Sequence, residues 1–258
     1  MTTPSFSVLL KTIEDRSAAL RAAAGQAGLA SRVPGCPDWT VRDLIAHLGE
    51  VQRFWAATVA AGTVSAPPAD DEVPGRAPAA TLPADALLSW SVDATDVLIR
   101  ALIDAGQDRP CWTWWQESGA PLTAGAVARH QVQEAGVHAF DAQAAAGRTE
   151  PLPPDAAADG VGEYLTVGMA SMGPWPHEPA RAGIAVAGGS TWIIDLGPGG
   201  SRPRETAARA ETPASQAAGW LRGTANDLVL ALYGRSLDVV IEGDRDLVTR
   251  LLAWTNND

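Results

Sequence analysis

The stretch RHQVQEAGVHAFDA, residues 129–142, determines how the rest of the chain is interpreted. Glu134 and His138 are four residues apart, a spacing that puts two side chains on one face of a helix, one turn apart. At about 100° per residue, His130 and Asp141 fall on the same stripe. Burying such titratable side chains without a partner of opposite charge or a hydrogen-bonding partner is costly. We therefore expect this face of the helix to have a partner. A divalent metal is one such partner, and a solvated Glu–His pair is the alternative.

The composition narrows the class of protein. The chain has 258 residues, 46% hydrophobic and 19% charged, which is enough for one large domain or two ordinary ones. A formal net charge of -11 disfavours nucleic-acid binding and docking on anionic membranes. Two cysteines are too few for a disulfide scaffold, and neither a signal peptide nor a spanning segment is predicted. We expect a soluble cytoplasmic protein, monomeric or homodimeric, that binds neither nucleic acid nor a membrane.

Helical periodicity predicts four helices in the first 150 residues. The segments are Ser5–Ala27, Thr40–Ala61, Pro83–Ala105 and Thr123–Gly147. Thr40 and Asp43 form a capping-box-like start for the second helix, and His47 lies on the edge of its apolar stripe. Four helices with connections of moderate length are typical of a four-helix bundle, in which metal sites are built from facing helices.

Two connectors between these helices have unusual compositions. Residues 62–82 are rich in Pro, Ala, Gly and Asp and are predicted to be an exposed loop. The connector ahead of the fourth helix contains Trp112, Trp114 and Trp115. These tryptophans are interpreted as a hydrophobic lid that seals the bundle or as a wall of a ligand cleft, and the two roles are compatible.

The sequence pattern changes after the proline-rich linker at residues 151–154. The β-rich runs predicted as strands are Gly183–Ala187, Thr191–Leu196, Glu205–Glu211 and Leu237–Glu242, the first two forming a hairpin. The segments predicted as helices are Ala156–Met172, Ala214–Leu221, Ala225–Tyr233 and Asp244–Trp254. We therefore expect a bundle domain at residues 1–150 and an α+β domain at residues 155–258.

Three stretches together resemble the mycothiol-dependent maleylpyruvate isomerase family of actinobacteria. They are VPGCPDWTVRDLIAHLGEV (33–51), RHQVQEAGVHAFDA (129–142) and GTANDLVLALYGRSLDVVIEGD (223–244). The resemblance covers nearly the whole chain. It implies a fold of class α plus α+β, in which a DinB-like metal-binding four-helix bundle is followed by a smaller, sterol-carrier-like α+β domain.

The resemblance implies a metal site. The family's His and Glu-x-x-x-His ligands correspond to His47, Glu134 and His138. Two imidazoles and a carboxylate suit Zn2+, with Ni2+ and Fe2+ as alternatives, and three protein ligands leave one position open. Asp141 is a candidate to hold the tautomer of the His138 imidazole. His130 is an addition to the family pattern and is interpreted as a group that supports a metal ligand, a proton shuttle, an extra ligand or a partly exposed helix residue.

The resemblance also implies mycothiol as the thiol cosubstrate. An ordinary thiol has a pKa near 8.5, and coordination to a divalent cation deprotonates it, so the triad would hold mycothiol as a metal-bound thiolate. Addition to an electrophilic small molecule then gives cis–trans isomerisation or thiol transfer. Arg222 and Arg235 are candidates to hold an anionic substrate, with ordinary surface ion pairs as the alternative. Trp112 and Trp114 are candidates to line the mycothiol site.

Other functions are open at this point. A metal-dependent hydrolase that uses metal-bound water would act without a thiol. A non-catalytic small-molecule-binding module would keep the bundle without turnover. Cys36, just ahead of the helix that carries His47, is a rival nucleophile, although cysteine is often simply buried.

Overall fold

The computed structural model describes residues 3–76, 79–206, 216–235 and 238–255. The chain divides into two units. The first comprises Pro4–Trp114 and Pro121–Leu152, and the second comprises the chain from Pro153 onward together with residues 1–3 and 115–120. Within the described residues, every helix is too short or too polar to cross a lipid bilayer.

Four long helices form the first unit. They are α1 (Phe6–Ala27), α2 (Val41–Ala61), α3 (Ala84–Ala105) and α4 (Ala124–Ala145). α1 packs along α4 and α2 packs along α3, and α2 also contacts α4. Each helix lies within a segment predicted to be helical. Gly28, Gly62 and Gly106 follow the first three with positive φ, a backbone conformation that ends helices and that glycine adopts most easily.

A complete capping box begins α2. The Thr40 hydroxyl accepts a hydrogen bond from the backbone N–H of Asp43, and the Asp43 carboxylate accepts one from the backbone N–H of Thr40 at 2.9 Å. The two bonds satisfy donors that a helix start otherwise leaves without partners. They therefore fix the beginning of the helix that carries His47.

A short antiparallel pair precedes α2 where the sequence indicated only a loop. Its strands are β1 (Arg32–Val33) and β2 (Cys36–Thr40). Pro34 and Gly35 form the turn between them, as expected of residues that favour turns. The strands were missed because they are too short to show a period-two pattern.

Hydrogen bonds hold the connector between α2 and α3 to both of these helices. It contains two short 3-10 helices, Asp70–Glu72 and Ala79–Thr81, and buries Val73. Most of the described residues between the two helices are exposed, in agreement with the predicted loop. Composition does not reveal that backbone carbonyls of this loop accept hydrogen bonds from side chains of α2 and α3.

The described residues of the second unit form three α-helices, a short 3-10 helix (Met169–Ser171) and a mixed sheet. The helices are α5 (Pro154–Thr166), α6 (Ala225–Leu232) and α7 (Arg245–Thr255), and the strands are β3 (Ala180–Val186), β4 (Thr191–Gly197), β5 (Gly200–Thr206), β6 (Gly219–Gly223) and β7 (Val240–Gly243). The strand order is β5-β4-β3-β6-β7, with β3 and β6 parallel and the other neighbours antiparallel. The predicted hairpin is present as β3 and β4. The predicted fold class, a helical bundle followed by an α+β domain, is confirmed.

The predicted helix at Ala214–Leu221 is wrong in its described part, which ends in strand β6. Trp220 and Leu221 pair with Gly183 and Ile184 of β3, and the Trp220 ring covers Gly183 so closely that no Cβ would fit there. Tertiary packing thus overrides the local helical pattern. Residues 207–215 lie outside the described residues, so the predicted strand Glu205–Glu211 can be compared only as far as Thr206, the last residue of β5.

Replacing the cap of α2 tests how much the capping box contributes. We expect Thr40→Ala to lower the free energy of unfolding by about 1 kcal/mol, because the substitution removes a cap hydrogen bond. Thr123→Ala is the control, since the Thr123 hydroxyl caps α4 without a reciprocal side-chain bond. Urea denaturation of the two variants measures the difference. A larger loss in Thr123→Ala would contradict the role assigned to the capping box.

Candidate metal centre

His47, Glu134 and His138 come together between α2 and α4. One ligand atom from each lies within 4.8 Å of the other two. Glu134 Oε2 is 3.9 Å from His47 Nε2 and 3.6 Å from His138 Nε2. The spacing of four residues on α4 aligns Glu134 with His138, and the packing of α2 against α4 adds His47. The structure thus brings together the three residues predicted as metal ligands.

The three side chains differ in exposure. The His138 side chain is 9% exposed, that of Glu134 is 20% exposed and that of His47 is 37% exposed. The cluster is therefore shielded on the α4 side and accessible at His47. This combination suits a site that must hold polar groups and still admit a ligand.

The donor set fits a first-row divalent ion. Two imidazole nitrogens and a carboxylate oxygen are typical ligands of such ions. Tetrahedral bonds of about 2.0–2.1 Å hold neighbouring ligand atoms roughly 3.4 Å apart. The distances of 3.6 and 3.9 Å from Glu134 to the two histidines are close to this value, and the three ligand atoms all lie within 4.8 Å of one another.

Asp141 contacts His138 on the side away from Glu134. Its carboxylate is fully buried, and its Oδ2 atom lies 3.1 Å from His138 Nδ1. A proton on Nδ1 directed at this oxygen leaves Nε2, which faces Glu134, as the nitrogen with the lone pair. The Cys36 thiol, predicted as a rival nucleophile, donates to the same Oδ2 atom at 4.0 Å and is half-buried.

Trp39 packs against both histidines, a contact that the sequence did not reveal. Its ring centroid is 4.8 Å from that of His47 and 6.1 Å from that of His138, and the two histidine rings are 5.0 Å apart. Trp39 directly precedes the cap of α2, so the position of the helix start decides where its indole lies. The sequence offered one signal for Trp39, which is that it lies within the stretch 33–51 that resembles the family.

Burial and charge act in opposite directions on Glu134 and His138. Burial alone would raise the pKa of Glu134, but the hydrogen bond from His138 and the nearby histidine charges lower it to about 2. Burial alone would lower the pKa of His138, but the hydrogen bonds to Asp141 and Glu134 raise it to about 9. At neutral pH Glu134 is therefore negatively charged and His138 is positively charged. A cation that binds His138 must displace a proton from its ring.

A cleft of about 480 Å³ adjoins the cluster. Its lining residues are His47, Glu50, Val51, Phe54, Trp55, Asp70, Arg76, Trp114, His130 and Glu134. The ring of His130 lies 5.5 Å from that of Trp114 and 6.1 Å from that of Trp55. His130 Nε2 lies 3.6 Å from Glu134 Oε1, the carboxylate oxygen that is turned away from the other two histidines. His130 therefore contacts both the cluster and the aromatic wall of the cleft, which is formed by Phe54, Trp55 and Trp114.

The two tryptophans predicted at the thiol site occupy different positions. Trp114 lines the cleft and is 43% exposed. Trp112 packs against Phe54 and Trp55, with ring centroids 6.2 and 6.4 Å away, and so supports the wall. The structure therefore places Trp114 at the cleft surface and Trp112 behind it, and their role at a thiol site stays a prediction.

Arg222 and Arg235, predicted to hold an anionic substrate, belong to the second unit. Arg222 Nε donates to Glu242 at 2.8 Å, and its guanidinium lies 4.9 Å from the centre of the Trp220 ring. Arg235 donates to the Tyr233 carbonyl. The contacts of Arg222 are those of the surface ion pair that the sequence left open as the alternative.

Sequence reasoning missed three polar residues of the cleft. Glu50 lies one helical turn after His47 on α2, and this spacing was an available signal. Asp70 and Arg76 lie in the connector between α2 and α3, where no periodicity predicts which way a side chain points. Only the path of the connector brings them to the cleft.

When a chelator keeps metal off the protein, the raised pKa of His138 predicts how the stability depends on pH. The pKa is raised from 6.5 to about 9, so His138 contributes stability that is fully present below about pH 6.5 and lost as the pH rises through 9. We expect the wild type to melt at a higher temperature than His138→Gln. The difference should be largest at about pH 6 and smallest at about pH 10. Thermal melts with a chelator measure the difference. A constant difference across this range would contradict the assignment.

Comparison with known proteins identifies the family. Two solved structures resemble the chain, the mycothiol-dependent maleylpyruvate isomerase and a histidine-to-alanine variant of it. For each, the TM-score is 0.63 and the sequence identity 16%, over 94% of this chain and 96% of that chain, a likeness that establishes the fold. No curated protein sequence matches the chain significantly. The family model described as "Mycothiol maleylpyruvate isomerase N-terminal domain" matches residues 10–143, more than half of the chain. The resemblance predicted from the sequence is confirmed, and the chain belongs to the mycothiol maleylpyruvate isomerase family.

Proposed function

We propose that this chain is a metal- and mycothiol-dependent enzyme that acts on a small electrophile, by cis–trans isomerisation or by thiol transfer. Membership of an enzyme family named for mycothiol supports the proposal. The observation that carries it is the cluster of His47, Glu134 and His138 beside a cleft of about 480 Å³. In this proposal the first unit is the DinB-like metal-binding domain and the second is the sterol-carrier-like α+β domain.

His47, Glu134 and His138 hold a divalent ion in this proposal, with Zn2+ as the first candidate and Ni2+ or Fe2+ as alternatives. Such an ion, when bound, lowers the pKa of a coordinated thiol. Asp141 keeps the proton of His138 on Nδ1, so that Nε2 is available as a ligand. Trp39 limits the rotation of the two imidazole rings that it contacts.

The cleft residues bind and orient the reactants. Phe54, Trp55 and Trp114 offer apolar surface that excludes water and binds the uncharged part of a ligand. His130 is the proton-transfer group, because it lines the cleft and its Nε2 atom is 3.6 Å from Glu134 Oε1. Arg222 and Arg235 belong to the second unit and are not among the residues that line this cleft; they stay predicted candidates to hold an anionic substrate. A substrate anion could easily replace Glu242 as the partner of Arg222, since exposed ion pairs contribute only about 0–1 kcal/mol to stability.

Metal content and thiol dependence test the proposal directly. We expect about one divalent ion per chain in the purified wild type, and its loss together with mycothiol binding in His138→Ala, because three ligands become two. Elemental analysis and calorimetric titration of mycothiol measure the two properties. His177→Ala is the matched control, because His177 packs against Trp175 in the second unit. A wild type that takes up no metal would contradict the proposal, and a metal-dependent activity without any thiol would favour a hydrolase.

The buried hydrogen bond behind His138 gives a second test. We expect Asp141→Asn to weaken Zn2+ binding about 10- to 100-fold, because the amide does not favour the proton on Nδ1 as a carboxylate does. Competition with a chromophoric chelator measures the dissociation constant. Cys36→Ser is the control, since it alters a different neighbour of the same carboxylate. Equal affinities in wild type and Asp141→Asn would exclude the orienting role.

A further inference from the structure

The two faces of the sheet in the second unit differ in what they carry. On one face the helices pack closely, since a Cβ at Gly219 would lie 2.9 Å from Val248 of α7, and one at Gly223 would lie 3.5 Å from Leu228 of α6. Side chains alternate between the faces along a strand, so Arg222 belongs to the opposite face. We call this opposite face the arginine face. Its charged residues, given by the strand register, are Arg181, Asp195, Arg202, Arg204, Arg222 and Glu242.

Three arginines surround one aspartate on the arginine face. Arg181 and Arg202 lie directly opposite Asp195 on its two neighbouring strands. Arg181 Nε donates to Asp195 Oδ1 at 2.5 Å, and Arg204 Nε lies 3.8 Å from Asp195 Oδ2. Arg202 forms no ion pair within the described part of the chain. Three guanidinium groups and one carboxylate therefore leave an excess of two positive charges, in a chain whose formal net charge is -11.

The three arginines retain donors that Asp195 does not use. Each guanidinium carries five N–H groups, whereas one carboxylate offers only about four acceptor positions. The side chains of Arg181 and Arg204 are 49% and 54% exposed, and Arg202 is exposed as well. Like charges at neighbouring positions of a sheet repel one another. An anion that bound here would reduce this repulsion and accept the remaining hydrogen bonds.

Arg202 and Arg204 occupy alternate positions of the edge strand β5. Such residues lie on one face with their Cα atoms about 7 Å apart, so two long side chains can reach the same ion. Pro203 stiffens the backbone between them and lies on the other face, opposite Ile194. The Arg202 guanidinium lies over the turn after β4, because its Nη2 atom would be 3.5 Å from a Cβ at Gly199. It reaches a shared ion by rotation of its exposed side chain.

The fourth arginine of this face, Arg222, has a counter-charge of its own. Its Nε atom donates to Glu242 at 2.8 Å, and its guanidinium lies 4.9 Å from the centre of the Trp220 ring. Arg222 and Glu242 therefore compensate each other. The excess positive charge is confined to the three arginines around Asp195.

The sign and size of the excess charge favour a phosphate group. A cation would be repelled, and a neutral ligand would leave the charge uncompensated. A carboxylate brings one negative charge and two oxygens, whereas a phosphate monoester brings about -1.5 to -2 charges and three strong acceptor oxygens. The planar fork of arginine binds such oxygens in pairs. A phosphate group thus matches an excess of two charges and can accept from more than one arginine.

We propose that Arg181, Arg202 and Arg204 form a binding site for a phosphate group on the arginine face of the second unit. Asp195 acts as a positioning residue, since it pairs with Arg181 and lies between the strands that carry the arginines. The group comes from inorganic phosphate or from a phosphate monoester, which share this chemistry. The inference goes beyond the proposed function and does not rest on it, because the metal cluster belongs to the first unit.

NMR titrations of the full-length protein test the ligand class. The probes are inorganic phosphate, glycerol 3-phosphate as a monoester and acetate as a carboxylate, each at the same ionic strength. We expect both phosphates to shift the Nε–Hε signals of Arg181, Arg202 and Arg204 and to bind more tightly than acetate. The tighter of the two phosphates identifies the source of the group. Acetate binding as tight as that of both phosphates, or phosphate shifts that spare these arginines, would overturn the proposal.

Arginine variants test the assigned residues. Arg202→Gln and Arg204→Gln should each weaken phosphate binding about two- to fivefold, the effect of one exposed charge pair, and the double variant should weaken it more. Arg250→Gln is the matched control, because it removes the same charge from an exposed position on α7. Melting temperatures should agree among the variants, since all these positions are exposed. An equal loss of affinity in Arg250→Gln would reveal a general charge effect and overturn the site.

One further variant separates this inference from the proposed function. His138→Ala removes a ligand of the metal cluster in the first unit, so it should retain phosphate binding at the arginine face. Phosphate binding that disappears in His138→Ala would place the ion at the metal cluster and overturn the inference. A wild type that binds phosphate through these arginines but takes up no metal would contradict the proposed function and support the site.

Discussion

The crowding of one half-buried carboxylate among three histidines is the constraint on which the first unit depends. Glu134 lies within 4 Å of His47, His130 and His138, on a helix whose residues are buried on almost every side. A charge in such a position is stable only with paired charges or a bound cation. The rest of the first unit supplies those partners, from α2 on one side and from α4 itself on the other.

Several features of the first unit follow from this requirement. The capping box fixes the start of α2, which in turn sets where His47 meets α4. The buried Asp141 carboxylate lies within hydrogen-bond distance of His138 Nδ1. Trp39 packs against both imidazole rings, because the strand that carries it runs directly into the helix. Local hydrogen bonds and packing thus convert a helix pair into a defined set of donor atoms.

The connector between α2 and α3 shows how a segment predicted only as an exposed loop becomes part of a site. Its backbone carbonyls at Pro74 and Gly75 accept hydrogen bonds from Arg53 and Trp90. Those donors lie on α2 and α3, so the same helix pair that positions His47 also positions Arg76. The cleft therefore has one end set by regular helix spacing and another set by side chains that fasten a loop.

The sequence by itself determined the four bundle helices, the α+β character of the second unit, the family and the grouping of Glu134 with His138 on one helix face. These follow from periodicity, capping residues and fixed motif spacing, which are local properties of a chain. Tertiary structure decided which side chains meet across elements. It set Trp39 against two histidines, turned the pattern at Trp220 into a strand against Gly183, and brought Arg76 to the cleft. The physical reason is that contacts between elements depend on how helices pack and where loops are fastened, which no local pattern encodes.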